Sequence, residues 1–294
     1  MAIAVTLPEP ARQRTLPLVI IALGGALTGF SGILLRLSEI GPIATGGWRL
    51  AIATLAFLPM ALMAGGDSLR PRSPAILALA GLFFAIDIAF YHLSLNFTAV
   101  AHSTLIVNLA PMVALAAGVA FFAERLGAAK VIGMIAALGG ALLMTSMRAS
   151  GTGGTITGNA LALLSMLGYA LYLIAVKHAR REHGTLAIML WSSAAAASCL
   201  FLGAAAAGEH IVPTTVSGWS VVIVMGLVTH VAGQGLIAFG MREAPVGLGS
   251  ILLLTQPVVA AIAAWPMFGE TLGPLEIIGA LLVLAGLALA SRAG

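Results

Sequence analysis

Ten long apolar stretches run along this chain, at 18–37, 43–64, 74–95, 101–122, 128–147, 156–176, 185–207, 217–240, 247–268 and 273–291. Short breaks rich in glycine, proline and charge separate them, such as Glu39–Pro42, Gly65–Pro74, Gly208–Pro213 and Gly269–Pro274. Each stretch is close to the roughly 20 apolar residues that a helix needs to cross a bilayer. With no water in the hydrocarbon core, every backbone amide must find an internal partner, so the stretches are predicted to be helices. An outer-membrane barrel would instead alternate apolar and polar positions over short segments. The pattern therefore predicts an all-α integral membrane protein with ten transmembrane helices. Residues 1–16, which hold Pro8, Pro10, Arg12 and Arg14, are expected to be a cytoplasmic tail before the first span and not a cleavable signal.

The chain repeats itself. Residues 103–146 align without gaps on 249–292, and 13 of the 44 positions are identical. Shared leucines say little in so apolar a chain. The pairs Pro111 and Pro257, Glu124 and Glu270, Gly133 and Gly279, and Gly140 and Gly286 say more. The predicted organisation is a first five-helix repeat at 17–148, a linker at 149–155 and a second repeat at 156–294. Five is an odd number, so the second repeat enters the membrane upside down. Inverted repeats are a common architecture of secondary transporters, which open a shared midplane site to either side.

Composition agrees and adds an orientation. Sixty per cent of the residues are hydrophobic and only 8% are charged, against roughly 25% in soluble domains, so most of the surface must face lipid. With the N-terminus inside, the cytoplasmic segments hold Arg12, Arg14, Arg70, Arg72, Arg125, Lys130, Lys177, Arg180, Arg181, Arg242 and Arg292, whereas the outer ends hold only Arg36 and Arg148. This bias places both termini in the cytoplasm, with the chain in a bacterial inner membrane. The basic residues form short loop clusters, which gives no nucleic-acid surface. The single cysteine, Cys199, rules out an intrachain disulfide or a multi-cysteine metal site. No phosphate-binding Gly-rich loop and no His-Glu-x-x-His site is present, so neither direct ATP drive nor an intramembrane zinc enzyme is expected. The chain is read as a non-enzyme without a cofactor.

The stretch LSLNFTAVAHSTLIVNLAPMVALAAGVAFFAERLGAAKVIGMIAALGGALLM at 93–144 resembles the signature half of the EamA family of the drug/metabolite transporter superfamily. Residues 239–289 resemble it again. The matching features are the proline of the fourth span in each half, the glutamate before a Leu-Gly turn and the glycine-spaced fifth span. Gly47-Trp48-Arg49-Leu50 also resembles the family's arginine-bearing second span. Within the family the pattern is most similar to the YddG-type exporters of aromatic amino acids. The resemblance implies an exporter or exchanger whose central cavity is lined by spans one, three, four, six, eight and nine, with the fifth and tenth spans packed behind as scaffold.

Candidate site residues are those that are costly in lipid. Asp87 stands near the middle of span three, where a charge costs about 2.5–3.5 kcal/mol on insertion, and Tyr91 follows one turn later. Asp87 is either a structural hydrogen-bond partner or a cavity group, and proton coupling would need such a titratable residue at depth. His230 and Gln234 share a face of span eight in the same way. Pro111 and Pro257 each remove a helical hydrogen bond and free the carbonyls of Val107 and Leu253. Asn108, Thr255 and Gln256 lie within a turn of them, so the prolines are candidate hinges flanked by substrate contacts. Tyr169 and Tyr172 offer aromatic faces on span six. Trp48, Trp191 and Trp219 are read as interfacial residues, and Glu124 and Glu270 as fixing helix starts.

The expected partners are a small-molecule substrate, amino acids with aromatic ones favoured, and the lipid bilayer, for a monomer or weak homodimer. A channel-like facilitator or a lipid-carrier flippase is the alternative. Inversion is directly testable: a topology reporter inserted at 151–154 is expected on the membrane face opposite both termini. A reporter on the same face as the two ends would overturn the inverted arrangement.

Overall fold

The computed structural model describes residues 11–94, 96–97, 103, 106–107, 109–122, 127–146, 155–244, 246–268 and 273–292. Among them there are helices and turns and no strands. The first apolar stretch forms α1 (Ala11–Gly29) and α2 (Ser31–Arg36), joined at Phe30. There follow α3 (Pro42–Ala64), α4 (Pro74–Ser94), α5 (Ala110–Phe122) and α6 (Ala128–Ser146). The second half begins with α7 (Ile156–Ala179) and α8 (Thr185–Ala206). Next, α9 (Val216–Val224) runs through a π-helical segment (Met225–Gln234) into α10 (Gly235–Gly240). The chain ends with α11 (Val246–Leu252), α12 (Thr255–Phe268) and α13 (Pro274–Arg292).

Every predicted stretch thus contains a helix. Among the described residues, six helical runs are long and apolar enough to cross a membrane: Leu16–Arg36, Pro42–Ala64, Pro74–Ser94, Ile156–Ala179, Thr185–Ala206 and Val216–Gly240. Their outer faces are apolar. Leu23 is 56% exposed, Leu55 64% and Leu202 73%, which fits side chains that meet lipid tails. Proline opens α3, α4 and α13 at the first turn, where its missing N–H costs no helical bond.

The two proline-bearing stretches are interrupted, not bent. Turns precede both α5 and α12, so Pro111 and Pro257 stand in the first turns of new helical segments. The Leu253 carbonyl accepts from the Gln256 amide at 2.9 Å, and the Thr255 hydroxyl donates to the Leu252 carbonyl at 2.9 Å. The carbonyl expected to be freed is therefore occupied locally. Asn108, Glu124, Glu270 and the 149–154 linker lie outside the described residues.

Contacts between the halves come in reciprocal pairs. Helices α6 and α13 pack antiparallel along their glycines. A Cβ on Gly133 would come within 2.6 Å of the Gly286 carbonyl oxygen, and one on Gly140 would strike that of Gly279. These are the glycines paired by the sequence repeat, touching crosswise. Without a hydrophobic drive between helices in lipid, such backbone approach is what holds them together. In the same way, Gly24 of α1 sits against the Gly233 carbonyl and Ile237 amide, and Gly168 of α7 against the Phe83 carbonyl and Asp87 amide.

Side chains repeat the pattern near the helix ends. Six residues into α3, the Trp48 indole donates to the Ile211 carbonyl at 2.7 Å. Six residues into α8, the Trp191 indole donates to the Ser68 carbonyl at 3.1 Å. Three residues before α3, the Glu39 carboxylate accepts from the Thr214 and Thr215 amides at 2.5 and 2.9 Å and from the Thr215 hydroxyl at 2.7 Å, just ahead of α9. Three residues before α8, Glu182 accepts from the Ser73 hydroxyl at 2.6 Å, just ahead of α4. A further carboxylate, Glu209, caps α3 through the Ile43 and Ala44 amides at 3.2 and 2.8 Å. The interfacial tryptophans of the sequence reading are thus also ties between the halves.

Two outcomes follow. Gly133→Val forces α6 away from α13 and should destabilise the protein by roughly 1–3 kcal/mol, seen as earlier thermal unfolding in detergent. Gly139→Ala, on the same helix with open space around it, should be neutral or mildly stabilising. Hydrogen bonds, first from the Thr215 side chain, hold the Glu39 carboxyl below its ordinary 4.5. Its contribution is therefore complete above that value and fades as pH falls through the lowered one. The stability gap between the parent protein and Glu39→Gln should be constant from neutral pH to about 4.5 and close below it.

Candidate functional site: a buried polar cluster with one arginine and one aspartate

Helices α3, α4, α7, α8, the π-helical segment and the start of α12 contribute to one group of polar and aromatic side chains. Arg49 enters from α3. Gly46 and Gly47, one turn earlier, let α3 close on Ile88 of α4 and Phe201 of α8, and this packing buries the arginine to 7% exposure. One guanidinium nitrogen donates to the Ser31 hydroxyl at 2.9 Å. The charge lies 5.7 Å from the centre of the Phe84 ring, within cation–π range. Its Nε is buried with no hydrogen-bond partner among the described residues.

Asp87 comes from α4 and accepts a 2.7 Å hydrogen bond from the Ser165 hydroxyl of α7. It is close enough to Arg49 for the two charges to interact. Opposite charges at this range, without a direct salt bridge between them, offset only part of the large desolvation cost of each. Gly168 sets the spacing, because α7 rides directly on the Asp87 backbone at that point.

Aromatic rings form one wall. Phe84 stacks on Tyr172 with centroids 4.5 Å apart, and Tyr172 is parallel to Tyr169 at 6.2 Å. The Tyr169 hydroxyl accepts from Gln256 of α12 at 3.4 Å and also meets Gln234. His230 lies 5.5 Å from Phe84 and shares a 2.8 Å hydrogen bond with Ser193 of α8 through Nε2. Its Nδ1 and the Gln234 Oε1 have no partner among the described residues. Buried polar atoms without partners are rare and call for an explanation, such as a group that arrives from outside.

Of the candidates named from sequence, the structure brings Asp87, Tyr169, Tyr172, His230, Gln234 and Gln256 into this cluster. Tyr91 stands one turn beyond Asp87, with its ring 5.8 Å from His92. Asn108 lies outside the described residues. His230 and Gln234 sit in the π-helical segment, where i→i+5 bonding widens the turn, and they reach different neighbours. Such segments often occur at functional sites. The crosswise contacts of Gly24 and Gly168 equate Asp87 with Ile237, so the aspartate has no acidic counterpart in the other half.

Sequence reasoning left out Arg49, Phe84, Ser165 and Ser193. Arg49 carried a usable signal, a charge eight residues into an apolar span, which is as costly there as Asp87. The serines and Phe84 carried none, being ordinary residues of membrane helices.

The chain is similar to known proteins over most of its length. A transporter of uncharacterised function from Archaeoglobus fulgidus is 29% identical over 273 residues, covering 92% of this chain and 95% of that protein. The threonine/homoserine exporter RhtA of Escherichia coli K12 is 27% identical over 126 residues, covering 42% and 41% respectively. A solved crystal structure superposes with a TM-score of 0.83 at 20% identity, over 95% of this chain and 97% of its own, and shows the same fold. Residues 15–146 and 156–292 each match the EamA-like transporter family. The twofold match falls on the two halves tied together by crosswise glycines and tryptophans, and the chain belongs to the EamA-like transporter family.

Proposed function

We propose that this chain is a secondary transporter that exports or exchanges a small amino acid, with aromatic ones favoured, by alternating access around the Arg49–Asp87 cluster. The proposed architecture is ten spans in two inverted five-helix repeats, in a bacterial inner membrane with both termini cytoplasmic. Crosswise contacts support the inversion, since equivalent helices α6 and α13 run antiparallel. The observation that carries the substrate class is, among the described residues, one buried arginine within electrostatic reach of one half-buried aspartate, with aromatic faces next to both. A zwitterion needs this set: Arg49 for the carboxylate, Asp87 for the ammonium, and Phe84, Tyr172 and Tyr169 for the side chain. The name of the partly matching Escherichia coli exporter also points to amino acids.

In this reading Gln234, Gln256 and His230 orient the substrate, with Tyr91 and Asn108 as further contacts nearer the ends of their spans. The breaks before Pro111 and Pro257 serve as bending points. Asp87 is the titratable group through which protons would couple. No enzymatic step is required of any residue.

The test is counterflow in sealed vesicles holding the purified protein, with phenylalanine, tryptophan, threonine and homoserine as cargo. Saturation and counterflow are expected for at least one of them, and a linear, non-saturating flux would favour a pore instead. Arg49→Lys and Asp87→Asn should each lower transport at least tenfold, because one hydrogen-bonded charge contributes about 1.5–3 kcal/mol and lysine lacks the forked donor geometry. Unchanged kinetics and pH dependence in Asp87→Asn, with normal insertion, would remove Asp87 from the mechanism.

A further inference from the structure

A serine inside a helix commonly turns its hydroxyl back onto the carbonyl one turn earlier. Ser192 of α8 does so, donating to Ile188 at 2.6 Å, and Ser198 donates to Ala194 at 2.9 Å. Ser193 does not. Its hydroxyl meets His230 Nε2 at 2.8 Å, and among the described residues it has no other hydrogen bond. Ser193 and His230 are each 1% exposed, so bulk water supplies no further partner.

Glycine contacts hold both side chains in place. Gly81 of α4 packs on the Ser192 carbonyl, next to Ser193. Gly226, one turn ahead of His230, packs on Ile52 and the Arg49 carbonyl of α3. This second contact brings the imidazole within electrostatic reach of Arg49. The His230 ring and the Arg49 guanidinium lie 5.5 and 5.7 Å from the centre of the same Phe84 ring.

A neutral imidazole carries its one proton on either nitrogen, and the bond to Ser193 discriminates between the two forms. With the proton on Nε2, the ring would donate to Ser193 Oγ. The hydroxyl hydrogen and the Nδ1 lone pair would then both be left unmatched. With the hydroxyl donating to Nε2, the ring proton sits on Nδ1, and that N–H alone is left over. Each unmatched buried group is costly, so the second form is favoured. It makes Nδ1 a donor with no acceptor among the described residues, and Arg49 Nε is another.

We infer that Ser193 is a positioning residue that locks His230 in the Nδ1–H form, so that this N–H and the Arg49 Nε–H both donate to the carboxylate of the substrate. Paired donors of this kind, one of them charged, give a carboxylate both a strong and a directional seat. The carboxylate is taken from the amino-acid reading above, whereas the place of the ring proton does not depend on it.

Nitrogen NMR of the purified protein, labelled in its histidine rings, reads that proton directly, with the His230 signals identified by their loss in His230→Asn. In the cargo-free protein Nδ1 should carry the proton and Nε2 should not. Ser193→Ala should move the proton toward Nε2, and Ser193→Thr should keep it on Nδ1. Adding phenylalanine or threonine, whichever the protein carries, should shift the Nδ1 signal, whereas the corresponding amide, which lacks the carboxylate, should not. In vesicles Ser193→Ala should raise the half-saturating concentration for counterflow roughly threefold to tenfold, as the loss of one neutral hydrogen bond does, and Ser193→Thr should restore most of it. A proton on Nε2 of the parent protein would overturn the inference, as would a ring proton indifferent to Ser193→Ala. So would equal responses to the amino acid and its amide while counterflow is intact. If no amino acid shows counterflow, the amino-acid reading fails and the carboxylate role with it, while the ring proton still decides what Ser193 does.

Discussion

Helices surrounded by lipid gain nothing by hiding apolar surface from one another, so what holds this protein together is how closely backbones approach. Glycine supplies that approach along the α6–α13 seam and again where α1 meets the π-helical segment and α7 meets α4. A Cβ at any of these points would sit inside the van der Waals shell of an opposing carbonyl or amide. The helices are therefore fixed in register by the absence of side chains. The polar residues can then be placed with little slack, because the backbone carrying Asp87 is itself the surface on which α7 rests.

That register explains how ionised groups coexist with so apolar a chain. Arg49 and Asp87 would each be prohibitive alone at mid-depth. Placed within reach of one another, with Ser31 and Ser165 hydroxyls on their remaining valences and aromatic faces beside them, they become tolerable. The fit is incomplete. One nitrogen of the arginine, one of His230 and the oxygen of Gln234 are left over, and they lie in the one region of the interior where both charge signs are on offer. A protein that needed only stability would fill these places with leucine and phenylalanine at little or no loss.

Much of the fold was legible in the sequence, for a physical reason. Hydrocarbon imposes a fixed helix length, and Pro42, Pro74 and Pro274 mark helix starts where their missing N–H does no harm, so predicted and observed limits agree to within a few residues there. The repeat was legible through its glycines because lipid-packed helices need them at set positions. The candidate cluster was legible where a residue is polar or amphipathic in itself, as Asp87, His230, Gln234, Gln256, Tyr169 and Tyr172 are. Ser165 and Ser193 matter because of which helix lies opposite, and no local pattern announces that. The π-helical winding under His230 has no signature in Met225–Gln234. The indole ties of Trp48 and Trp191 depend on loops in the other half of the chain, so an interfacial preference was all that the residues themselves could suggest.

Those indole ties carry an implication for ancestry. Neither half satisfies its own tryptophan or its own loop glutamate; each takes its partners from the other half. A lone repeat could meet that need only by pairing with a second copy of itself, and such a twin would place every chamber residue there twice. Joining two copies in one polypeptide lifts the obligation to match. One copy can then keep an aspartate where its sibling has Ile237, and a polar cluster whose acid comes from one half alone becomes available only after fusion.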